Sequence, residues 1–461
     1  MQHSTTEITQ TVARLAAQIA QDLDPDTEIG AETMLIRDLG FASVDFVRLI
    51  VDIEKTFARK LGFLDLLMPN GKYVNDLAVG DFTRFIGSRL TDAAPIGAAA
   101  LPAAEQATEP AACAAEQGAP APGQRVTRAM LEQFRSLLPA PDRWAQAPES
   151  ERNARAVFIL CAPRSGSTLL RVILAGHPHL FAPPELHMLD YATLPQRQSA
   201  LDNKRNAHLL TGAIRALMQA RHCAVEVAEE LMRSWVAQGM STSMFYRMLQ
   251  ESLGDRLLVD KTPTYSLHPA ILERAEQEFD GPMYIHLVRH PAAMIRSFED
   301  AKLDQLIPFM RESSFTRRQI AEMVWLLCEE NIHSFLGGVP GERHHLVRFE
   351  ELVTDPETTI RGICDFVGLP FHPATLNPYE EQNKRMTDGL HAVSEFSGDL
   401  KFHLHSRIEP AAAERWHGCR GDSLSESTRE LGLRLGYRLA GGESADTKEA
   451  HVADTPRPGF D

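Results

Sequence analysis

The chain has few of the residues that build disulfide frameworks, zinc sites or nucleic-acid interfaces. Its six cysteines lie far apart and form no Cys-x-x-Cys pair, which predicts free thiols and no metal centre. Lys and Arg number 47 against 62 Asp and Glu, which gives a formal net charge of -15. Because phosphate contacts need clustered cations, this balance argues against nucleic acid as a partner.

Long apolar runs are missing as well. No stretch approaches the roughly 20 apolar residues that a membrane-spanning helix needs, although 44% of the residues are hydrophobic. Residues 1–7 lack the basic start and apolar stretch of a signal peptide. We therefore expect a cytoplasmic protein that does not bind a membrane.

At 461 residues the chain exceeds what one hydrophobic core usually organises, so we expect two domains. Residues 92–124 are rich in Ala and Pro without apolar periodicity, which indicates a semi-rigid linker. Residues 441–461 are polar, which predicts a disordered tail. A small domain at 1–91 and a larger one at 125–440 remain.

Hydrophobic periodicity predicts a different fold for each domain. Apolar residues recur every three or four positions in 8–19 and 44–57, which predicts a small all-α bundle. The larger domain alternates short β-rich runs with helical stretches, which predicts an α/β fold with a parallel sheet and flanking helices. The predicted strands are residues 156–160, 256–259, 284–288 and 345–349.

Ser43 lies where a loop is predicted to end and the helix at 44–57 to begin. Free N–H groups and the helix dipole favour an anion there, so the position suits a covalently attached phosphate. A serine at this position is also a common N-cap, and the octamer 38–45 alone does not decide between the two roles. A separate acidic helical domain followed by a tether favours attachment.

This segment resembles an acyl carrier protein, in which the serine of an Asp-Ser-Leu motif receives 4′-phosphopantetheine. The corresponding residues here are Ala42, Ser43 and Val44. The resemblance implies covalent 4′-phosphopantetheine at Ser43, a phosphopantetheinyl transferase as partner, and a carrier-protein role for residues 1–91.

A second candidate site follows the first predicted strand of the larger domain. The loop 163–168 (PRSGST) should turn its backbone N–H groups inward before a helix that ends at Gly176. A nucleotide-triphosphate loop is disfavoured, because Cys161 and Ser167 occupy its first Gly and its Lys positions. The residues expected to hold an anion are Arg164, Ser165, Gly166, Ser167 and Thr168.

The loop resembles the 5′-phosphosulfate loop of sulfotransferases that use 3′-phosphoadenosine 5′-phosphosulfate (PAPS). That family has a second motif, a strand followed by Arg and, in the next helix, Ser, which binds the 3′-phosphate of the donor. Here the strand at 284–288 precedes Arg289 and Pro291, and Ser297 follows two turns later. Arg407, near Lys401, is expected to add charge at the 3′-phosphate.

Residues 150–420 resemble the sulfotransferase domains of curacin-type polyketide olefin-forming modules. The resemblance implies sulfation of the β-hydroxyl of an acyl chain on a neighbouring carrier, with polyketide or fatty-acid synthase components as partners. In such modules a thioesterase then drives loss of sulfate to form an alkene. No thioesterase follows here, so we expect elimination to use a separate polypeptide. The matching stretches are 162–171, 183–187, 260–265 and 387–391.

Sulfuryl transfer needs a base for the acceptor hydroxyl and cations for the departing phosphate. Lys261, after the predicted strand at 256–259, is the expected cation. Glu185 is the first candidate base, because it resembles the catalytic glutamate of tyrosylprotein sulfotransferases. His187 and His391 are rival bases, since a histidine accepts protons readily near neutral pH.

Three functions stay open at this point. The first is sulfation that activates a carrier-bound acyl chain for elimination. The second is sulfation that leaves a permanently sulfated metabolite, which the missing thioesterase favours. The third is a non-catalytic carrier or docking protein with a decayed sulfotransferase fold, which the full set of motif residues disfavours.

Overall fold

The computed structural model describes most of the chain. The linker predicted at 92–124, the tail predicted at 441–461, His391 and Lys401 lie outside the described residues. Described are residues 4–20, 29–39, 41, 43–57, 59, 61–67, 76–90, 125–141, 152–202, 207–305, 307–388, 402, 405–416 and 424–438.

The described residues of the N-terminal region include a series of helices. Helix α1 begins with a capping box in which Ser4 and Glu7 satisfy each other's backbone N–H groups. Apolar faces of the helices enclose a core that includes Phe46, Phe63 and Phe82. The helices are α1 (Thr5–Ile19), α2 (Ser43–Thr56), α3 (Leu64–Leu67) and α4 (Val79–Leu90).

The rest of the described chain alternates strands and helices. Its elements are α5 (Arg128–Leu137), β1 (Ala156–Leu160), α6 (Ser167–Ala175), β2 (Leu180–Phe181), α7 (Leu194–Leu201), α8 (Thr211–Arg221), α9 (Val225–Ala237), α10 (Thr242–Glu251), β3 (Leu257–Asp260), α11 (Pro269–Glu278), β4 (Met283–Val288), α12 (Pro291–Asp300), α13 (Pro308–Arg311), α14 (Arg317–Leu336), β5 (His344–Arg348), α15 (Phe349–Thr354), α16 (Pro356–Val367) and α17 (Glu426–Arg434).

The strands form a parallel sheet in the order β2-β3-β1-β4-β5. Because successive side chains of a strand point to opposite faces, both faces of β1 are apolar. Ala156, Phe158 and Leu160 pack into one core cluster, and Val157 and Ile159 pack into another on the opposite face. The α/β prediction with a parallel sheet is confirmed.

The sheet order brings three loops to one place. Strands β3, β1 and β4 are neighbours, so the residues after their carboxyl ends emerge side by side. These are Lys261 after β3, the loop 161–166 after β1 and Arg289 after β4. Ligands of open α/β sheets commonly bind at this edge.

No helix within the described residues is long and apolar enough to cross a membrane. The described cysteines, Cys161, Cys223, Cys328 and Cys364, are free thiols. The short strand β2 was not predicted from the sequence, because two residues carry no detectable periodicity.

Candidate active site

The loop after β1 is built around two left-handed residues. Arg164 has φ 65° and Gly166 has φ 89°, and α6 begins at the next residue, Ser167. Gly166 is the N-cap and has no side chain to satisfy the first-turn N–H groups, and that turn holds no acidic residue. Such a helix start favours an anion.

Ser165 supplies a further polar group in this loop. Its side chain is fully buried, and its Oγ has no hydrogen-bond partner within the described part of the chain. An unsatisfied buried hydroxyl is costly, so a group that stays unpaired in the protein alone points to a bound partner.

Gly166 is required by space as well as by its backbone conformation. A Cβ at this position would lie 2.2 Å from Cδ2 of Phe349, the first residue of α15. The glycine therefore lets the Phe349 ring, at the start of α15, pack directly against the loop.

The second motif meets the first, as the resemblance implies. Arg289 Nη1 donates to the Arg164 carbonyl oxygen at 2.9 Å, and Arg164 Nε donates to Ser297 Oγ at 3.3 Å. The Arg289 guanidinium lies 4.4 Å from the Phe349 ring centroid. Trp325 Nε1 donates to the Arg289 carbonyl oxygen at 3.1 Å and so fixes the end of β4. The two motifs thus form one cationic corner.

Charge at this corner is concentrated. Burial, together with the positive charges of Arg415 and Arg164, lowers the pKa of Arg289 to about 10, although Glu350 opposes the shift. Cations that destabilise one another in a buried place favour binding of an anion. The sequence reasoning missed Arg415. Arg407, predicted for this role, has a side chain 79% exposed that pairs with Glu409 at 3.3 Å.

Lys261 and Glu185 form an ion pair beside the loop. Nζ of Lys261 donates to Oε1 of Glu185 at 2.5 Å, and the Lys261 side chain is only 3% exposed. On the other side of the carboxylate, Nε2 of His187 lies 3.4 Å from Oε2. That nitrogen makes no hydrogen bond within the described residues. Three of the predicted catalytic residues therefore lie together.

Asp190, itself held by Thr264, fixes the Nδ1 side of the His187 ring. Nδ1 of His187 lies 3.1 Å from Oδ2 of Asp190, and Thr264 Oγ1 donates to the same Oδ2 at 3.1 Å. Although burial disfavours the charged imidazole, Asp190 and Glu185 raise the pKa of His187 to about 9. Burial also disfavours the charged Glu185, but Lys261 and His187 outweigh it and hold the pKa of that carboxyl well below its usual range. At neutral pH the site contains an imidazolium and a carboxylate.

A buried tyrosine pair fixes the loop 185–190 to the end of β3. Tyr265 OH donates to Asp260 Oδ2 at 3.1 Å and accepts from the backbone N–H of Met188 at 2.9 Å. Tyr246 OH also donates to Asp260. Burial raises the pKa of Asp260 to about 6, against the opposing effect of the two hydroxyls. The strand that carries Lys261 and the loop that carries Glu185 are therefore bound to each other.

The remaining predicted residues are placed as follows. Ser43 is the first residue of α2, which confirms a helix start there. Ser167 and Thr168 lie in the first turn of α6. Asp190 and Thr264 were not predicted, because a carboxylate three residues after His187 gains meaning only when Thr264 is folded against it.

Comparison with known proteins agrees with this geometry. A sulfotransferase family model matches residues 156–373. The nodulation protein NoeE of Sinorhizobium fredii is 29% identical over 230 residues, which cover 47% of this chain and 50% of NoeE. The chain spans about half the length of the curated relatives it matches.

Two solved structures are more similar. The sulfotransferase domain from the curacin biosynthetic pathway is 38% identical with a TM-score of 0.58, and the match covers 63% of this chain and all of that domain. The sulfotransferase domain from the Synechococcus PCC 7002 olefin synthase is 35% identical with a TM-score of 0.57, and the match covers 65% of this chain and all of that domain. The chain belongs to the sulfotransferase family and is a sulfotransferase enzyme.

Proposed function

We propose that the enzyme transfers a sulfuryl group from PAPS to the β-hydroxyl of an acyl chain held on 4′-phosphopantetheine at Ser43. The observation that carries the donor assignment is the contact of Arg164 with both Arg289 and Ser297. The acceptor assignment is supported by the similarity to the curacin and olefin synthase domains and by the helical domain in which α2 begins at Ser43.

The residues at the carboxyl edge of the sheet fit a nucleotide that carries phosphate groups at two positions. The unpaired Ser165 Oγ and the uncapped start of α6 suit the 5′-phosphosulfate. Arg289, whose Nε has no partner within the described residues, suits the 3′-phosphate together with Ser297. When bound, PAPS supplies the sulfuryl group to be transferred.

Glu185 is the proton acceptor in this proposal. It is ionised at neutral pH, whereas His187 with a pKa of about 9 already carries its proton. As the hydroxyl oxygen bonds to sulfur and the bond from sulfur to the donor phosphate breaks, the hydroxyl proton passes to Glu185. Lys261 stabilises the negative charge that develops on the phosphate oxygen.

The Lys261–Glu185 pair explains how donor binding strengthens the base. A carboxylate held by a cation is a weak base, because the ion pair stabilises its charged form. When Lys261 turns to an anionic donor, Glu185 loses the main group that lowers its pKa, and burial then raises its proton affinity. The base therefore strengthens when the donor is in place.

The partner proteins and the compartment of the reaction are part of the same proposal. Phosphopantetheinyl transferase modifies Ser43, polyketide or fatty-acid synthase components supply the acyl chain, and the reaction takes place in the cytoplasm. A separate thioesterase acts if the sulfate is a leaving group. Analysis of the final product distinguishes the two fates, because a terminal alkene requires elimination and a sulfate ester excludes it.

Intact-protein mass spectrometry tests the proposal. The chain is first modified with phosphopantetheine, loaded with 3-hydroxyacyl groups of several lengths, and given PAPS. A gain of one sulfate is expected, and Lys261→Ala should slow it by at least about 10²-fold. Ser43→Ala should accept no prosthetic arm, whereas Ser88→Ala, a matched change of the exposed Ser88 in α4, should behave as wild type. Loaded protein that gains no sulfate at any chain length would refute the acceptor assignment.

A further inference from the structure

An ion pair joins the N-terminal helical domain to the catalytic domain. Nζ of Lys302 lies 3.3 Å from Oδ2 of Asp45, from segments that are 257 residues apart in sequence. Asp45 lies in the first turn of α2, which begins at Ser43. Lys302 lies in the turn directly after α12, the helix that carries Ser297. The contact therefore joins the start of α2, where Ser43 lies, to the end of α12, the helix that carries Ser297.

We propose that the domain of residues 4–90 docks on the catalytic domain through Asp45 and Lys302, and that this docking presents the acyl group on Ser43 to the active site of the same chain. This inference rests on the proposed function, because it takes Ser43 as the carrier of the acceptor. It adds the surface through which carrier and enzyme recognise each other.

The Asp45–Lys302 pair is partly buried, which strengthens its electrostatic attraction. The Asp45 side chain is 15% exposed and that of Lys302 is 29% exposed. By contrast, Arg233 and Glu230 pair within α9 while both are more than 65% exposed. Screening by water and salt is weaker for partly buried charges, so the Asp45–Lys302 pair contributes more than an exposed pair does.

The backbone of Lys302 supports a role for its side chain. Its φ is +49°, in the left-handed region that usually holds glycine just after a helix end. A lysine at such a position destabilises the turn relative to glycine. Strained backbone of this kind persists where the surrounding structure requires it, and it concentrates at functional positions.

Neighbouring cations have partners in their own domain. Arg317 Nε lies 2.6 Å from Asp304 Oδ1, and Arg318 Nη1 lies 3.6 Å from Glu299 Oε2. Each of these pairs balances the charge of an arginine within the catalytic domain. Lys302 pairs with Asp45 in the first turn of α2, so the contact favours an acidic helix start.

A weak contact is sufficient for this task. A tether that can span two sites keeps the second site at an effective concentration of roughly millimolar. A docking contact with a Kd of about 1 mM is then half occupied. The carrier can also leave to receive the next acyl group, which a tight interface would prevent.

Charge reversal tests the docking surface. Single-turnover sulfation of 3-hydroxyacyl-loaded chain would be followed by intact mass in wild type, Lys302→Glu, Asp45→Lys and the double variant. The single variants are expected to lower the intramolecular rate about fivefold to tenfold, as loss of a partly buried ion pair implies. The double variant, which restores opposite charges, should return to within about twofold of wild type.

Controls separate docking from folding and from the proposed function. Lys302→Gly removes the side chain and relieves the left-handed backbone, so a slower rate in this variant cannot come from strain. Arg233→Glu, a charge reversal on exposed α9, should leave the rate unchanged. A free 3-hydroxyacyl pantetheine thioester in trans should react equally with wild type and with Lys302→Glu.

The outcomes are distinct. If wild type sulfates neither the loaded chain nor the free thioester, the proposed function fails. If both are sulfated but the intramolecular rate ignores the charges at residues 45 and 302, the docking surface is wrong. Slower single variants that the double variant does not rescue also overturn the docking proposal.

Discussion

Lys261 Nζ donates to Glu185 Oε1 at 2.5 Å, although the two residues belong to loops 76 positions apart. The lysine follows β3, and the glutamate follows β2, which pairs with β3. Neighbouring strands of a parallel sheet end at the same edge, so the fold itself creates this pair. The cation for the leaving phosphate and the proposed base are thereby held together before any substrate binds.

Removing the cation should affect chemistry more than donor binding. Lys261→Ala is expected to lower kcat by at least about 10²-fold, because charge on the leaving phosphate loses its main stabilising group. Affinity for 3′,5′-adenosine bisphosphate, measured by calorimetry, should weaken less than kcat falls, because its 5′-phosphate keeps the contacts of the loop 163–168. Lys384→Ala, at an exposed lysine paired with Glu381, serves as control. A large loss of affinity with unchanged kcat would contradict this role.

Glu185→Gln tests the proton acceptor. The amide keeps the shape of the side chain but accepts no proton at catalytic pH, so kcat should fall by about 10² to 10⁴. His187→Gln should lower kcat less, because the imidazolium only orients and stabilises the carboxylate. The reverse order of severity, measured by initial rates at saturating substrate, would transfer the role of base to His187.

The alkaline side of the pH profile should report His187. Its pKa is raised to about 9, so the imidazolium and its pairs with Asp190 and Glu185 are complete below the unfolded value of about 6.5. Their contribution is lost as pH rises through about 9. Activity should fall on that side, and Asp190→Asn should move the fall to lower pH. An unchanged profile would exclude this role for Asp190.

Much of this site could be predicted from sequence. Arg164 and Arg289 lie in segments that follow short apolar β-rich strands, and Ser297 lies in the helix after Arg289. Neighbouring parallel strands end at one edge of the sheet, so these positions come together in the fold. Arg415 could not be found, because it comes near Arg289 only in the folded chain. Asp190 lies three residues after His187, but the second group on its carboxylate, Thr264, comes from a distant segment. Arg407 lies in a basic stretch of sequence and pairs with Glu409, whereas folding places Arg415 near Arg289. The sequence does not specify which of these two arginines faces the site, because that depends on how the segment between them folds.

Gly166→Ala should disrupt the loop. The methyl group would lie 2.2 Å from the Phe349 ring, and the residue has φ 89°, which costs roughly 1 kcal/mol or more for a residue with a Cβ. A lower Tm and weaker binding of 3′,5′-adenosine bisphosphate are expected. Phe349→Ala removes both ring atoms that the methyl group would meet, so the double variant should lose less Tm than the two single losses added together. Additive losses would mean that the clash does not contribute.

Ser165→Ala separates binding from stability. Its buried Oγ has no partner within the described residues, so removing it takes away a desolvated hydroxyl and should leave the Tm unchanged or slightly higher. If the hydroxyl pairs with the 5′-phosphate of the donor, affinity for 3′,5′-adenosine bisphosphate should still weaken about tenfold, since a hydrogen bond to a charged group is lost. Thermal unfolding with and without the nucleotide measures both effects. A lower Tm together with unchanged nucleotide affinity would show that Ser165 serves the fold and not the anion.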